Sequence, residues 1–342
     1  MQRTRGWLFS TTCLICLLEM LGLILPADAQ KATFISFDPP GSFVTVPAGI
    51  NPAGTITGYY GDRDHAQSGF VRARNGDFIT FDFPGSVATA PSGINPAGAI
   101  TGVYYIDNYD FPVHAFLRAR DGSLTTIDPP GSNQTIAAGI NPAGAIAGYY
   151  SDRSGVLHGF LRTSDGAFIK FDPPGSISTF VLSINPAGAI TGEYEDSGFG
   201  MHGFLRDPDG SFTIFDPRGS SFTSPASINP SGTVTGTYLE GNVVQHGFVR
   251  DLDGTFTTFD PPGSTLTVAA GINPAGVITG FWSATGHFGV KHGFLRTRDG
   301  ALTTFDPPGS TFTFPASINP AGAITGYYGD ASGITHGFVR WP

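Results

Sequence analysis

Six histidines recur on a fixed spacing, each two residues ahead of a phenylalanine: His114, His158, His202, His246, His292 and His336. Fourteen residues after each of the first five stands an aspartate: Asp128, Asp172, Asp216, Asp260 and Asp306. Imidazole and carboxylate together can ligate a metal, transfer protons or form charge-assisted hydrogen bonds. Their register decides which. The turn Ser164-Asp165-Gly166 centres a hairpin on Asp165, so His158 and Asp172 face each other from adjacent strands. The same geometry sets His114 opposite Asp128, His202 opposite Asp216, His246 opposite Asp260 and His292 opposite Asp306. A cross-strand hydrogen bond explains why both residues recur. Histidines a full repeat apart are too distant to share one ion, so neither metal nor cofactor is expected. Ser68 stands where a histidine would face Asp82, a lapse that a structural device tolerates better than a catalytic one.

These pairs belong to a larger repeat. The anchor Phe-Asp-Pro-Pro-Gly-Ser, or a close variant, has its aspartate at Asp38, Asp82, Asp128, Asp172, Asp216, Asp260 and Asp306, 44 to 46 residues apart. That period is typical of a propeller or another repeat array. In the copy from Gly131, Ser132 to Asn141 reads as one strand and Asn141-Pro142-Ala143-Gly144 as a type I turn. Ala145 to Tyr150 reads as a second strand, the segment from His158 to Arg162 as a third and Phe168 to Asp172 as a fourth. Pro173-Pro174-Gly175 then makes a type II turn into the next copy. Four antiparallel strands in a meander make one propeller blade, so an all-β, seven-bladed propeller is expected. After His336-Gly337-Phe338 there is no fourth strand, whereas Thr33 to Asp38 is a fourth strand without a blade. Pairing the two closes the ring, removes its open edges and sets His336 opposite Asp38.

Strings such as Gly-Ile-Asn-x-x-Gly-x-Ile-x-Gly-Tyr, followed by His-Ala/Gly-Phe-Leu, resemble the bacterial extracellular HAF repeat. Only His114-Ala115-Phe116 matches the literal triplet; the other copies read His-Gly-Phe, and Arg162 and its equivalents stand where that family often has Trp. The resemblance spans nearly all of the chain beyond residue 29. It implies export and a propeller-like fold, and it brings no catalytic residues.

Composition narrows the class further. With 48 Gly and 27 Pro in 342 residues the chain suits many short strands and excludes a helical bundle, while 29 Phe supply a core. Arg3 and Arg5, an apolar stretch from Trp7 to Leu25 and the small-residue site Ala27-Asp28-Ala29 read as a secretory signal over 1–29, cleaved after Ala29. A retained anchor is the alternative, against which Glu19 argues. Residues 30–342 then form a single secreted or periplasmic domain without a stable membrane span. Both cysteines, Cys13 and Cys16, fall inside the signal, which leaves no disulfide. A net charge of −9 makes nucleic acid a poor partner. A monomer is expected.

Nine residues past each turn asparagine the residue is aromatic: Tyr60, Tyr104, Tyr150, Tyr194, Tyr238, Trp282 and Tyr328. Such rings can pack between blades or stack on sugars. The two longest copies carry their extra residues between strands two and three, at 105–113 and 283–291. Rigid scaffolds commonly present function on such loops. Tyr105, Tyr109, Phe111, Trp282, His287 and Phe288 are therefore the candidate ligand-binding residues. Acidic pairs such as Asp207/Asp209 and Asp251/Asp253 lack the oxygen set of a calcium loop.

No nucleophile elbow, phosphate loop or zinc-protease helix is present, and Glu193, Glu195 and Glu240 are the only glutamates after residue 29. The reading is an exported binding scaffold that recognises an extracellular glycan, cell-envelope component or protein through the rim of strand-two to strand-three loops, with no catalytic residue assigned. A polysaccharide lyase or hydrolase with a site near the central channel, where Thr45, Thr89, Thr135 and their equivalents recur, is the second reading. A passive structural protein of the envelope is the third.

Overall fold

The computed structural model describes residues 32–62, 67–107, 113–241 and 243–342. The expected signal segment 1–29 and the loop residues Tyr109 and Phe111 lie outside them. Regular structure among the described residues is all strand, apart from one 3-10 turn at Gly286–Phe288. No helix among them is long and apolar enough to cross a membrane.

Each copy folds as an antiparallel meander. In the copy from Gly131 the strands are Gln134–Ile140, Ile146–Ser151, Leu157–Arg162 and Phe168–Phe171, paired in that order. Asn141 closes the first turn with its own side chain: Oδ1 accepts the Ala145 N–H at 3.0 Å, and Gly144 takes the left-handed conformation, φ 86°, that the turn requires. In the Pro-Pro-Gly connection Gly175 lies at φ 84° and the Ser176 N–H donates to Pro173 O, which is the type II geometry. The first strand carries a bulge between Ala137 and Gly139, which increases its local twist.

Successive copies run in the same direction, so that the third strand of one touches the first strand of the next in parallel, as Met201 does Phe222 and Gln245 does Leu266. The core sits between copies. Phe171 and Ala147 of one copy pack with Val181, Ile190, Tyr194 and Phe204 of the next. Seven third-strand phenylalanines, among them Phe160 and Phe204, are wholly buried. Burial of a side chain of this size contributes about 1.5–3 kcal/mol, and its repetition makes this layer the main source of stability. In several layers an arginine at the end of the third strand lies over a phenylalanine of the preceding copy: the buried Arg206 guanidinium lies 4.9 Å from the centre of the Phe171 ring and half-buried Arg340 lies 5.2 Å from Phe305. Burial lowers the pKa of both.

The two ends of the chain meet. Thr33–Phe37 pairs antiparallel with Thr335–Trp341, with Ile35 opposite Val339, and Val44 contacts Thr335 in parallel. One core cluster combines Phe37, Ala323 and Val339 with Ile50, Ile56 and Phe70. Turn asparagines also join neighbouring copies: Asn51 Nδ2 donates to Asn95 O, Asn185 to Asn229 O and Asn273 to Asn319 O, and Asn319 donates to Asn51 O at 3.2 Å.

Candidate functional site

Third-strand histidine and fourth-strand aspartate converge in six hairpins. Nδ1 of His114 lies 2.6 Å from Asp128 Oδ2; the corresponding distances are 2.9 Å for His158 and Asp172, 2.7 Å for His202 and Asp216, and 2.6 Å for His246 and Asp260. His292 and Asp306 are 2.7 Å apart, and His336 and Asp38 are 2.6 Å apart across the chain ends. The second aspartate oxygen is engaged by a threonine seven residues on, in the first strand of the following copy. Thr45 donates to Asp38 at 2.6 Å, Thr179 to Asp172 at 2.9 Å, Thr267 to Asp260 at 2.6 Å and Thr313 to Asp306 at 2.5 Å. Each such aspartate therefore ties its own hairpin to the next copy.

The far side of several histidines meets a second acid. Asp152 and Asp330 accept from His158 and His336 at 3.4 Å, and Glu240 stands 3.3 Å from His246 without a hydrogen bond. Burial pulls the His336 pKa down, but the bonds to Asp38 and Asp330 outweigh it and the net shift is upward. His202 behaves alike between Asp216 and Asp196. Asp330, held chiefly by the Ser332 hydroxyl, drops to about 2.

This order of groups fixes the chemistry. In nucleophilic catalysis a hydroxyl donates to the imidazole that deprotonates it. Here the threonines that reach Asp38, Asp172, Asp260 and Asp306 donate to the carboxylate and not to an imidazole. The threonines that the channel-site reading invokes are fully buried, including Thr45, Thr89 and Thr135, so they do not face an open channel.

The aromatic series lies over these histidines. Tyr150 is the cross-strand neighbour of His158, and ring centres are 5.1–5.5 Å apart from Tyr238/His246 to Tyr150/His158. Tyr104 and Tyr328 reach the fourth strand through Thr126 and Ser36, at 2.8 and 2.9 Å. Trp282, half-buried, packs against the cluster around Phe259 and Phe294, 5.2 Å from His292. It is held there by the same cross-strand register that places its equivalents.

Tyr105 ends its second strand half-buried. His287 and Phe288 lie on the 3-10 turn, and Phe288 is fully exposed, at 105% of its reference area. Lys291 holds that loop shut from beneath: Nζ donates to Gly286 O at 3.1 Å, His287 O at 2.7 Å and Gly289 O at 2.6 Å. Two further large apolar residues project from equivalent loops that the sequence reading passed over, Phe199 (77% exposed) and Val243 (79%). Phe199 has φ 63°, rare for a bulky residue. Asp196 imposes it, with Oδ1 accepting the N–H groups of Gly198 and Gly200. Ile106 and Val156 are exposed on two more loops of this kind. Because the copies run in the same direction, all of these loops emerge on one rim.

A polar cleft of about 310 Å³ opens at the other end of the sheets, lined in part by Asn229, Asp251, Asp253, Arg296 and Arg298. Asp253 accepts the Thr255 N–H, which holds its pKa below the usual carboxylate range; it is an acceptor at neutral pH, not an acid. Among the described residues no three His, Cys, Asp or Glu side chains are grouped to hold a metal.

No known protein family matches the chain, and no curated protein is similar to it in sequence. Solved structures are similar in fold. The β-propeller domain of the Trilobed protease from Pyrococcus furiosus superposes with a TM-score of 0.64 at 8% identity, over 87% of this chain and 95% of that one. Virginiamycin B lyase from Staphylococcus aureus gives 0.60 at 14%, over 91% and 100%. TolB from Acinetobacter baumannii gives 0.53 at 14%, over 74% of this chain and 63% of its own. At these identities the likeness carries the fold and no activity. The chain is all-β and has a β-propeller fold.

Proposed function

We propose that this protein is an exported binding scaffold of the HAF-repeat type, a ring of seven four-stranded blades closed by Thr33–Phe37. Its second-to-third-strand rim would bind an extracellular glycan, cell-envelope component or protein. Strand pairing between the chain ends and the Asn319 to Asn51 hydrogen bond support the closed ring. The observation that carries the function is the outward fixing of Phe199 and Phe288: one sits in a strained conformation imposed by Asp196, the other on a loop clamped by Lys291. A bulky side chain in the left-handed region, and large apolar side chains in water, give nothing to a protein without a partner. Screening glycan arrays and envelope fractions with the protein and with a Phe199→Ser/Val243→Ser/Phe288→Ser variant tests it. Saturable binding confined to the unaltered rim is expected; equal binding by both would remove the rim from the account.

A further inference from the structure

Three copies end their third strand on a pair of arginines two residues apart: Arg72 and Arg74, Arg118 and Arg120, Arg296 and Arg298. Each pair meets a different neighbour. Trp341 covers the first, with the Arg74 guanidinium 4.9 Å from its ring centre. The third lines the polar cleft of about 310 Å³ together with Asp251 and Asp253, which neutralise it. The second lines a matching cleft of about 330 Å³ with Asn51, Val71, Ile79 and Pro96. Here the repeat positions of Asp251 and Asp253 hold Ala73 and Asn75, so this cleft has the two cations without the two acids.

The ion pairs among the described residues involve neither Arg118 nor Arg120. Asp121 is the acid whose charge reaches Arg118, but it stands on the exposed hairpin turn, and its Oδ1 is taken by the Ser123 N–H at 2.9 Å and hydroxyl at 2.7 Å. Arg118 is held in place by packing: its guanidinium lies 4.8 Å from the centre of the Phe81 ring of the preceding copy. A ring face orients a guanidinium and leaves its donors free. Arg72, Arg206, Arg250 and Arg296 each donate from Nη1 to the carbonyl of the next residue, at 3.4–3.5 Å. Arg118 makes no such bond among the described residues, and its Nε is buried without an acceptor. An arginine keeps its charge at any ordinary pH, so this pair calls for an anion from outside the chain. The walls beside it, Val71, Ile79 and Pro96, are aliphatic. Two guanidinium groups next to an aliphatic wall suit a small organic acid, whose carboxylate matches the arginine fork and whose hydrocarbon part leaves water.

We propose that this cleft binds a small organic carboxylate, with Arg118 and Arg120 taking the carboxylate group and Val71, Ile79 and Pro96 the hydrocarbon part. The site lies at the other end of the sheets from Phe199 and Phe288 and does not depend on what they bind.

Butyrate is the probe, read by saturation-transfer NMR on its methyl signal with the full chain at constant ionic strength. Saturable transfer is expected, with tighter binding than acetate, which is too short to cover the aliphatic walls. Ala73→Asp/Asn75→Asp installs the acids that the fold already carries at Asp251 and Asp253, and should weaken binding roughly tenfold or more. Arg120→Gln, an exposed position, should do the same, and Phe288→Ser should leave binding unchanged. In the reverse direction, Asp251→Ala/Asp253→Asn should give Arg296 and Arg298 a butyrate site that Arg120→Gln does not remove. No saturable transfer to the unaltered protein, equal affinity in the Ala73→Asp/Asn75→Asp and Arg120→Gln variants, or equal affinity for acetate overturns the proposal.

Discussion

Ala115 and Ile127 fit one another by volume. In the other six hairpins a glycine at the Ala115 position lies beneath a fourth-strand phenylalanine; a Cβ on Gly159 would stand 2.5 Å from the Phe171 ring, and one on Gly337 2.5 Å from Phe37. In this copy alone the fourth strand supplies Ile127, whose N–H donates to Ala115 O at 2.9 Å, and the space the ring would fill admits a methyl group. The single literal His-Ala-Phe triplet thus has a packing cause.

Ile127→Phe alone should destabilise the protein by about 1–3 kcal/mol through overpacking, and Ala115→Gly in the same chain should restore most of the loss. Chemical denaturation of the two single variants and the double variant reads the coupling directly. Simple additivity would contradict the pairing.

Asn319 makes the same set of bonds as Asn273, although its acceptor, Asn51 O, lies at the opposite end of the sequence. Asn319→Ala strips that bond and two turn bonds to Ala321 and Ala323, with an expected cost of about 1–3 kcal/mol. Asn273→Ala should cost about as much. A clearly smaller penalty for Asn319→Ala would mean that the first and last copies are not joined as their neighbours are.

His336 should make stability depend on pH. Its folded pKa lies above the ordinary value, so the folded state holds the proton more tightly than the unfolded chain. The resulting stabilisation is complete below about pH 6.5 and disappears as pH rises through the raised folded value. The gap in unfolding temperature between the unaltered protein and His336→Gln should therefore be wider at about pH 6 than at about pH 8. Asp330 acts in the opposite sense: its pKa is depressed to about 2, so its contribution is present above about pH 3.9 and is lost as pH falls toward about 2. A pH-independent gap for His336→Gln would contradict the assignment.

Phe199→Gly should raise stability, because relief of the left-handed penalty at φ 63°, about 1–2 kcal/mol, exceeds the entropic cost of a glycine, about 0.5–1 kcal/mol. Thermal and denaturant unfolding test this. A fall in stability would show that the exposed ring is supported by contacts and is not held at a cost.

Strands, turns and the His to Asp register were legible because each is local: Asp165-Gly166 fixes a hairpin, and a hairpin fixes which residues face across it. Contacts made between copies were not. The spacing places Thr179 after Asp172, but only the packing of one copy on the next turns its hydroxyl onto that carboxylate. The asparagines read as turn residues, and their Nδ2 bonds to the following copy leave no mark in one repeat. The aromatic series reads as packing between blades or as a sugar platform; its rings lie over the histidines and pack against the preceding copy, as Tyr194 does against Phe171 and Tyr238 against Phe215. Phe199 and Val243 escaped notice because the repeat length marks only the two longest loops, whereas exposure depends on backbone conformation. Where the anchor reads Phe83 instead of proline, its N–H donates to Thr89, and its ring stacks on Tyr104 at 3.7 Å; a proline has no N–H for that bond.

The most direct test of the binding account is the affinity of the protein for its best glycan, envelope or protein ligand beside that of Phe199→Ser/Val243→Ser/Phe288→Ser. Surface substitutions of this kind should alter stability by about 0.5 kcal/mol or less each, so both proteins can be compared fully folded. A loss of roughly tenfold or more in affinity is the predicted result. Unchanged affinity in the folded triple variant would contradict the account and turn attention to the other faces of the propeller.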